Sequence, residues 1–479
     1  MSTNEKRTLV NDIFKSEKDL NNTNVLLKGW LRSVRKSKSF SFLVLNDGTC
    51  QETIQIIYDQ DKPDYENVSN LLNGSCVEVK GLLVKSQGKG QGYEVQANEV
   101  KIYGTTDSDY PLQKKASSLE FLREKAHLRP RTNLFSAIFR IRHVLAMATH
   151  EFFDKRNFYY LNSPILTAVD AEGAGEMFNV TTFSLKDIGK LPKEKESLDF
   201  KKDYFGKEAS LCVTGQLEAE CFAMGMGAVY TFGPTFRAEN SNTPRHLSEF
   251  WMIEPEIAFY DLDQTAQLAA DYIKFLINAA FEKCPKEMDT LDNYHKFAAK
   301  GKEEKYQSHL EVLKDVLKSD FTKITYTEAI EILIKSNEKF EFKPEWGIEL
   351  QTEHERFLSE KHFVGPVIVT DYPKDCKAFY MKLNDDGKTV RAMDVLVPGV
   401  GEIIGGSQRE ENYEKLIARM DEMKMDKEPL WWYLELRKFG TAPHSGFGLG
   451  FERAIRYITG MNNIRDVIAF PRSPKNCDF

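Results

Sequence analysis

Between residues 25 and 103 the chain is a succession of short strand-like runs: VLLKGWLRSV, FSFLVLND, IQIIYD, CVEVKGLLVKS and YEVQANEVKIY. Turn chemistry in NDG, DQDKPD, NGS and QGKGQG cuts them apart. Five such strands in about 80 residues suit a small Greek-key barrel, an OB-fold, whose open face binds single-stranded nucleic acid. Gly88, Gly90 and Gly92 fall between the last two runs, where the pattern predicts a flexible hairpin.

One stretch of this barrel is chemically marked. Lys28, Arg32, Arg35, Lys36 and Lys38 occur without an acid among them, followed by Phe40 and Phe42 at strand alternation. Cations that track phosphate, beside an aromatic ring on which a base stacks, are what single-strand binding requires. Phe40 and Phe42 point to one face, so the alternative is that both belong to the barrel core. Phe42 is the better stacking candidate.

Residues 1–24 form an N-terminal extension, and 105–131 a polar hinge running into a basic helix. From 132 to 479 helical patterns at 133–156, 261–283 and 409–424 alternate with strand-like runs. Those runs are LCVTG, AVYTFGPTFRAE, EFWMIEPEIAFY, GPVIVTDYP, AFYMKL and RAMDVLVPG. Strands following one another without regular βαβ alternation predict an α+β domain with a largely antiparallel sheet. Polar, Lys-rich insertions interrupt it near 184–208 and 284–323.

With 65 Lys and Arg against 72 Asp and Glu, the net charge of −7 excludes a uniformly basic nucleic-acid coat but not a local patch. No apolar run approaches the roughly 18 residues of a membrane span. The start MSTNEKRTLVNDIF has neither a signal core nor a transit-peptide composition, so a cytoplasmic chain is expected. Seven cysteines, scattered and without a CxxC pair, argue against a disulfide framework and against zinc. Neither GxxxxGK[ST] nor a strand-turn-helix GxGxxG occurs, so any use of ATP proceeds without those loops.

Two segments carry the chemistry. In TFGPTFRAENSNTPRHLSEFWMIEPEIAF a strand is expected to end at Arg237 and Glu239, which at i and i+2 share a face. An Arg grips a phosphate at two points, and a carboxylate accepts from an amino group; the bland alternative is a surface ion pair. In His444-Ser-Gly446-Phe-Gly448-Leu-Gly450-Phe-Glu452-Arg453, alternate glycines expose a flat strand to a planar ligand, and an Arg stands where it can stack. The bland alternative here is a tight strand–helix turn.

Together with FYYLNSP at Phe158–Pro164, these segments resemble, in order, the three signatures of class II aminoacyl-tRNA synthetases. The resemblance spans essentially all of 25–479, and the basic aromatic barrel fits the anticodon-binding domain of the aspartyl/asparaginyl/lysyl subgroup. It implies that Arg237 grips the α-phosphate and the amino-acid carboxylate, and that Glu239 reads the adenine amino group. Phe250 and Arg453 would sandwich adenine, and Arg245 or His246 would stand near the γ-phosphate. Asp394 and Glu402 would hold Mg²⁺ against ATP. Arg32, Arg35 and Phe42 would meet the anticodon. A homodimer through the segment containing Pro164 is also implied.

For the amino acid, DAEGAGEMF, VTGQLEAE and GEIIGGSQRE resemble the asparagine-specific branch of the subgroup more than the aspartate-specific one. Glu172 and Gln216 resemble substrate-orienting positions, and Arg409 the arginine that meets the side-chain carbonyl. Ala219 stands where aspartate enzymes of the SPQLxK type place lysine, and Glu254 where they place aspartate. The Val397–Gly401 loop is one residue longer than theirs. An amide presents one acceptor and two donors, a carboxylate acceptors only. With the lysine gone, Arg409 donates to the amide oxygen and Glu254 accepts from its nitrogen, with Glu220 as the competing acceptor. The expected partners are therefore ATP, L-asparagine and tRNA(Asn), without a membrane. The alternatives are an aspartate enzyme, including one that charges both tRNAs, a synthetase-like protein that only binds RNA, and a small-molecule amide ligase.

Overall fold

The computed structural model describes residues 6–86, 88, 91–113, 117–171, 177–186, 188–194, 197–300 and 306–479. Two compact units, Met1–Ala137 and Ile138–Phe479, divide the chain. The fold class is the expected one in both.

In the first unit the five runs become β1 (Thr23–Lys36), β2 (Phe40–Asn46), β3 (Ile54–Asp59), β4 (Cys76–Lys85) and β5 (Tyr93–Gly104). They close into a barrel in the order β1-β2-β3-β5-β4. Alternation decides which side chains enter it: Leu27, Leu31, Leu43, Leu45, Ile54, Ile56, Val77, Val79 and Val95 form one buried core. The hairpin between β4 and β5 includes Gly88 and Gly92; Gly90 lies outside the described residues.

The second unit is built on an eight-stranded sheet. Its strands are β6 (Tyr159–Leu161), β7 (Ala228–Phe236), β8 (Glu249–Ala258), β9 (Thr322–Thr325), β10 (Val367–Pro373), β11 (Thr389–Val397), β12 (Gly401–Gln408) and β13 (His444–Gly450). The order is β9-β10-β11-β12-β13-β8-β7-β6, antiparallel except for the two edge pairs β9–β10 and β7–β6. The helices used below are α1 (Asn133–Asp154), α2 (Gln216–Met226), α3 (Leu262–Lys283), α4 (Thr352–Arg356), α5 (Trp431–Lys438) and α6 (Phe451–Thr459). Asp261 caps α3 through a reciprocal capping box with Gln264.

Several expected boundaries move. Gln216–Met226, outside the expected helices, is α2, and Gly215 stands at its N-terminal boundary. AFYMKL forms isolated bridges, Met381 with Arg409 and Leu383 with Val390, and no regular strand. The 409–424 helix begins only at Tyr413, after an Asn412 cap, which leaves Arg409 in extended backbone beside β12. The 284–323 insertion is two helices, Pro285–Ala298 and His309–Lys318, followed by the start of β9.

The sheet centre is where glycine is indispensable. Gly446 lies opposite both Glu256 and Ser407, and a Cβ there would overlap the Glu256 carboxylate and the Pro255 carbonyl. Gly446→Ala is expected to cost about 1–3 kcal/mol, as overpacked cores do, and to lower the melting temperature. A melting curve superimposable on the wild type would show that Glu256 can move aside freely.

Candidate active site

Opposed residues of antiparallel strands share a face. The pairs Asp394–Gly405, Gly405–Gly448, Met252–Gly450 and Glu256–Gly446 therefore set one run of side chains above a floor of glycines. Phe250, Met252, Glu254 and Glu256 alternate onto this face of β8. Above it is a cavity of about 350 Å³, within the range of small-ligand sites.

The residues expected to hold the nucleotide all line this cavity: Arg237, Glu239, Arg245, His246, Phe250 and Arg453. Arg237 and Glu239 lie just past β7 rather than in it, although the Arg237 N–H continues the ladder to the Ser248 carbonyl at 3.0 Å. The Arg237 guanidinium is 5.4 Å from the Phe250 ring centroid. Arg245 donates to the Val400 carbonyl at 2.9 Å and to the Thr352 hydroxyl. The His246 ring meets the hydroxyls of Ser241 and Thr243, and burial holds it below its ordinary pKa.

Asp394 and Glu402 flank Gly405: their carboxylate oxygens lie 3.5 and 3.4 Å from the place a Cβ would take there. Arg453 donates to Glu402 Oε1 at 3.2 Å. Burial acts to raise Glu402, but Arg453 and Lys377 outweigh it and hold the carboxyl below its ordinary value. The turn joining β11 to β12 is pinned from a neighbouring helical segment. Glu355 accepts the Glu402 N–H at 3.0 Å, and Glu360, in the wider turn that continues α4, accepts the Gly399 N–H at 2.8 Å. Burial, with Glu402 and Asp394 nearby, pushes Glu355 up to about 7. Among the described residues, no three His, Cys, Asp or Glu side chains are grouped as metal ligands.

The remaining lining includes Thr214, Gln216, Glu254 and Arg409. Arg409 donates Nε to Glu256 at 3.2 Å, Nη2 to its other oxygen, and Nη1 to the Ser407 hydroxyl at 2.6 Å. Glu254 accepts from the hydroxyls of Thr214 and Thr231 and from the Gly215 N–H at 3.0 Å. Glu220 is fully buried and not part of the lining. Its partners are Gln216 at 3.1 Å, Tyr433 at 2.8 Å, Arg437 at 2.7 Å and His444 at 2.9 Å. Burial would raise that carboxyl; Arg437, His444 and Arg409 hold it below its usual range. Ala219 packs with Ala223 and Val229 in a small apolar cluster and is not part of the cavity lining. Glu172 lies outside the described residues.

On the barrel, neither Phe40 nor Phe42 belongs to the core; their rings meet edge to face at 4.9 Å. Phe42 is half-buried and lies directly opposite the exposed Arg35 across β1–β2. Arg32 donates to Asn46 Oδ1 at 3.4 Å. Lys28, expected in the cationic stretch, is instead 2.8 Å from Glu78, and Lys36 is 2.9 Å from Glu66.

Sequence reading missed Glu256, Glu355 and Lys377. Glu256 had a signal: it follows Glu254 at i+2 and so shares its face, opposite a glycine of the 444–450 run. The other two stand in a short helix and a loop, where no periodicity points inward.

Residues 118–474 match the family model for class II tRNA synthetases (D, K and N), and residues 25–103 that for the OB-fold nucleic acid binding domain. The chain is 54% identical over 474 residues to the asparagine–tRNA ligase of Alkaliphilus oremlandii, covering 99% of this chain and 100% of that protein. It is 53% identical over 476 residues to that of Cytophaga hutchinsonii, with coverage of 99% and 100%. Among solved structures, asparaginyl-tRNA synthetase from Pyrococcus horikoshii complexed with asparaginyl-adenylate is similar with a TM-score of 0.84 at 31% identity, covering 98% and 99%. A putative aspartyl-tRNA synthetase from Leishmania major, 19% identical with a TM-score of 0.79, shares the fold.

Glu355 provides a pH test. A carboxyl whose folded pKa is about 7 against an ordinary 4.5 binds its proton more tightly when folded. The stability this contributes is present below 4.5 and is lost as pH rises through 7. Glu355→Gln carries no such dependence. The variant's melting temperature, relative to wild type, is expected to climb between pH 4.5 and 7 and then level off. A pH-independent difference would show that Glu355 titrates normally.

Proposed function

The chain belongs to the class II tRNA synthetases of the aspartate, lysine and asparagine group, and from that premise we propose how its cavity carries out the ligation of asparagine to tRNA. The activity is that of a ligase, consuming ATP to join the amino acid to tRNA(Asn). The observation that carries the reading is a single cavity lined by Arg237, Phe250, Arg453, Asp394 and Glu402 and equally by Gln216, Glu254 and Arg409.

In the first half-reaction a carboxylate oxygen of asparagine attacks the α-phosphorus of ATP in line, and pyrophosphate leaves. No nucleophilic side chain is required; positioning and charge neutralisation suffice. Arg237 holds the α-phosphate and the substrate carboxylate, Phe250 and Arg453 take the adenine between them, and Glu239 accepts from its amino group. Arg245 and His246 stand towards the γ-phosphate. Gln216 and Glu172 orient the substrate ammonium. Asp394 and Glu402 present hard carboxylate oxygens either side of Gly405, a donor set suited to magnesium. They would hold the ion where it neutralises phosphate charge. In the second half-reaction a hydroxyl of the terminal tRNA ribose attacks the adenylate carbonyl, and AMP departs.

Selection of the amide follows from how the pocket charges are matched. Arg409 is balanced by Glu256 and keeps two of its five N–H donors for the substrate oxygen. Glu254, with three donors already on its carboxylate, has about one acceptor site left for the amide N–H. Aspartate would set a second carboxylate against Glu254. A site hydrogen-bonded to one group rejects an analogue that cannot match it by about 10⁴-fold.

Residues 25–104 serve as the anticodon-binding domain, with Arg32, Arg35 and Phe42 on its recognition face; 105–131 is the hinge and 132–479 the catalytic domain. A homodimer forms through the segment containing Pro164, where Tyr159, Tyr160, Ile165 and Leu166 are exposed. The enzyme acts in the cytoplasm; among the described residues no helix is long and apolar enough to cross a membrane.

Phe42→Ala is expected to weaken tRNA charging by the worth of one stacked base, about 1–3 kcal/mol, while tRNA-free ATP–pyrophosphate exchange stays near wild type. Equal losses in both assays would make Phe42 a structural residue. Exchange measured over the twenty amino acids tests the substrate: asparagine should be preferred, and preference for aspartate would overturn the assignment. Glu254→Gln should lower kcat/KM for asparagine and narrow the asparagine-to-aspartate ratio, since the like-charge repulsion disappears. An unchanged ratio would remove Glu254 from amide selection.

A further inference from the structure

Lys377 has no role in the scheme above, yet it lines the same cavity as Arg237, Asp394 and Glu402. It follows the short helical turn Lys374–Cys376, in the loop between β10 and β11. Its ammonium lies 2.9 and 3.2 Å from the two oxygens of Asp394, and 4.0 Å from the Tyr372 ring centroid. Only 19% of its side chain is exposed, and 14% of that of Asp394. One cation therefore occupies both oxygens of a carboxylate that a divalent ion would need.

We propose that Lys377 is the resident counter-cation of Asp394, that it yields this carboxylate to the divalent ion arriving with ATP, and that it then pairs with the nucleotide's phosphates. The proposal rests on the ATP-dependent reading of the cavity. Electrostatics sets the order of partners. An aspartate left bare on the floor of the site is costly, so before ATP arrives it stays matched by an ammonium. Once a doubly charged ion shares those oxygens, Lys377 and the ion repel each other across one carboxylate. The ammonium, packed against Tyr372, still requires an anion. The phosphates are the anions that enter the cavity at that moment, and a lysine serves them as a mobile point charge.

The metal arm of the test does not depend on catalysis. Manganese binding to nucleotide-free enzyme, followed by electron paramagnetic resonance, should be at least fivefold tighter in Lys377→Met than in wild type, because the competing cation is gone. Lys377→Arg keeps a cation, with a two-point grip on Asp394, and should bind manganese no better than wild type. Affinity for the magnesium complex of α,β-methylene-ATP should fall at least tenfold in Lys377→Met and stay within about threefold in Lys377→Arg. If manganese binds the methionine variant no more tightly than wild type, or the analogue binds it equally well, the proposal is wrong. Should the methionine variant fail to fold, manganese binding by Lys377→Arg clearly tighter than wild type would also overturn it. Asparagine-dependent pyrophosphate exchange by the wild type is run alongside. Its absence would sink the reading of the cavity, whereas normal exchange with failed competition would sink only the role of Lys377.

Discussion

Arg409 and Glu256 meet in a two-point ion pair with 3% and 0% of their side chains exposed. Two charges survive such burial only where their remaining donors and acceptors also find partners. Ser407 takes another Arg409 N–H, and Glu220 lies 4.0 Å from its Nε. Glu220 in turn is held by Gln216 of α2, Tyr433 and Arg437 of α5, and His444 of β13. One connected set of hydrogen bonds and ion pairs thus ties β8, β12, β13, α2 and α5 together. The glycine at 446 is a condition of it, because Glu256 needs the space a Cβ would fill.

The same set supports the proposed selection of a neutral group by a guanidinium. A lone arginine in a pocket would favour an anion. Here its charge is met by Glu256 from behind, and Glu254 adds a further acid on the same sheet face two residues away. On the proposed reading, what the substrate meets from Arg409 is directed N–H groups rather than unbalanced charge. Glu220 belongs to the support of this arrangement: it is fully buried and stands outside the lining, while Glu254 is part of it.

Much of this was legible in the sequence because strands announce themselves by alternation. The five barrel runs and the glycine strand both depend on a period of two, which survives in three dimensions. The resemblance named Asp394 and Glu402 as a pair, and a hairpin brings them to either side of Gly405. Where residues owe their position to a connection, the pattern is silent. Lys377 is placed by the loop leaving β10 and Glu355 by α4, and each meets the acids through chain remote in sequence.

Cations around the cavity are already partnered within the protein. Arg453 is on Glu402, Lys377 on Asp394, Arg245 on the Val400 carbonyl and Arg409 on Glu256. On the proposed reading of the cavity, ATP enters by exchanging the partners of Arg245, Lys377 and Arg453 rather than by meeting unmatched positive charge, and each interaction it forms is offset by one that is released. That keeps ground-state binding modest. As charge moves onto the leaving pyrophosphate, the exchanged donors already face it, and their attraction grows with the charge that develops. Binding that strengthens only along the reaction coordinate raises turnover, whereas binding that is strong from the outset does not. A cavity whose charges are matched at rest by weaker partners than the ones the reaction creates is built for that difference.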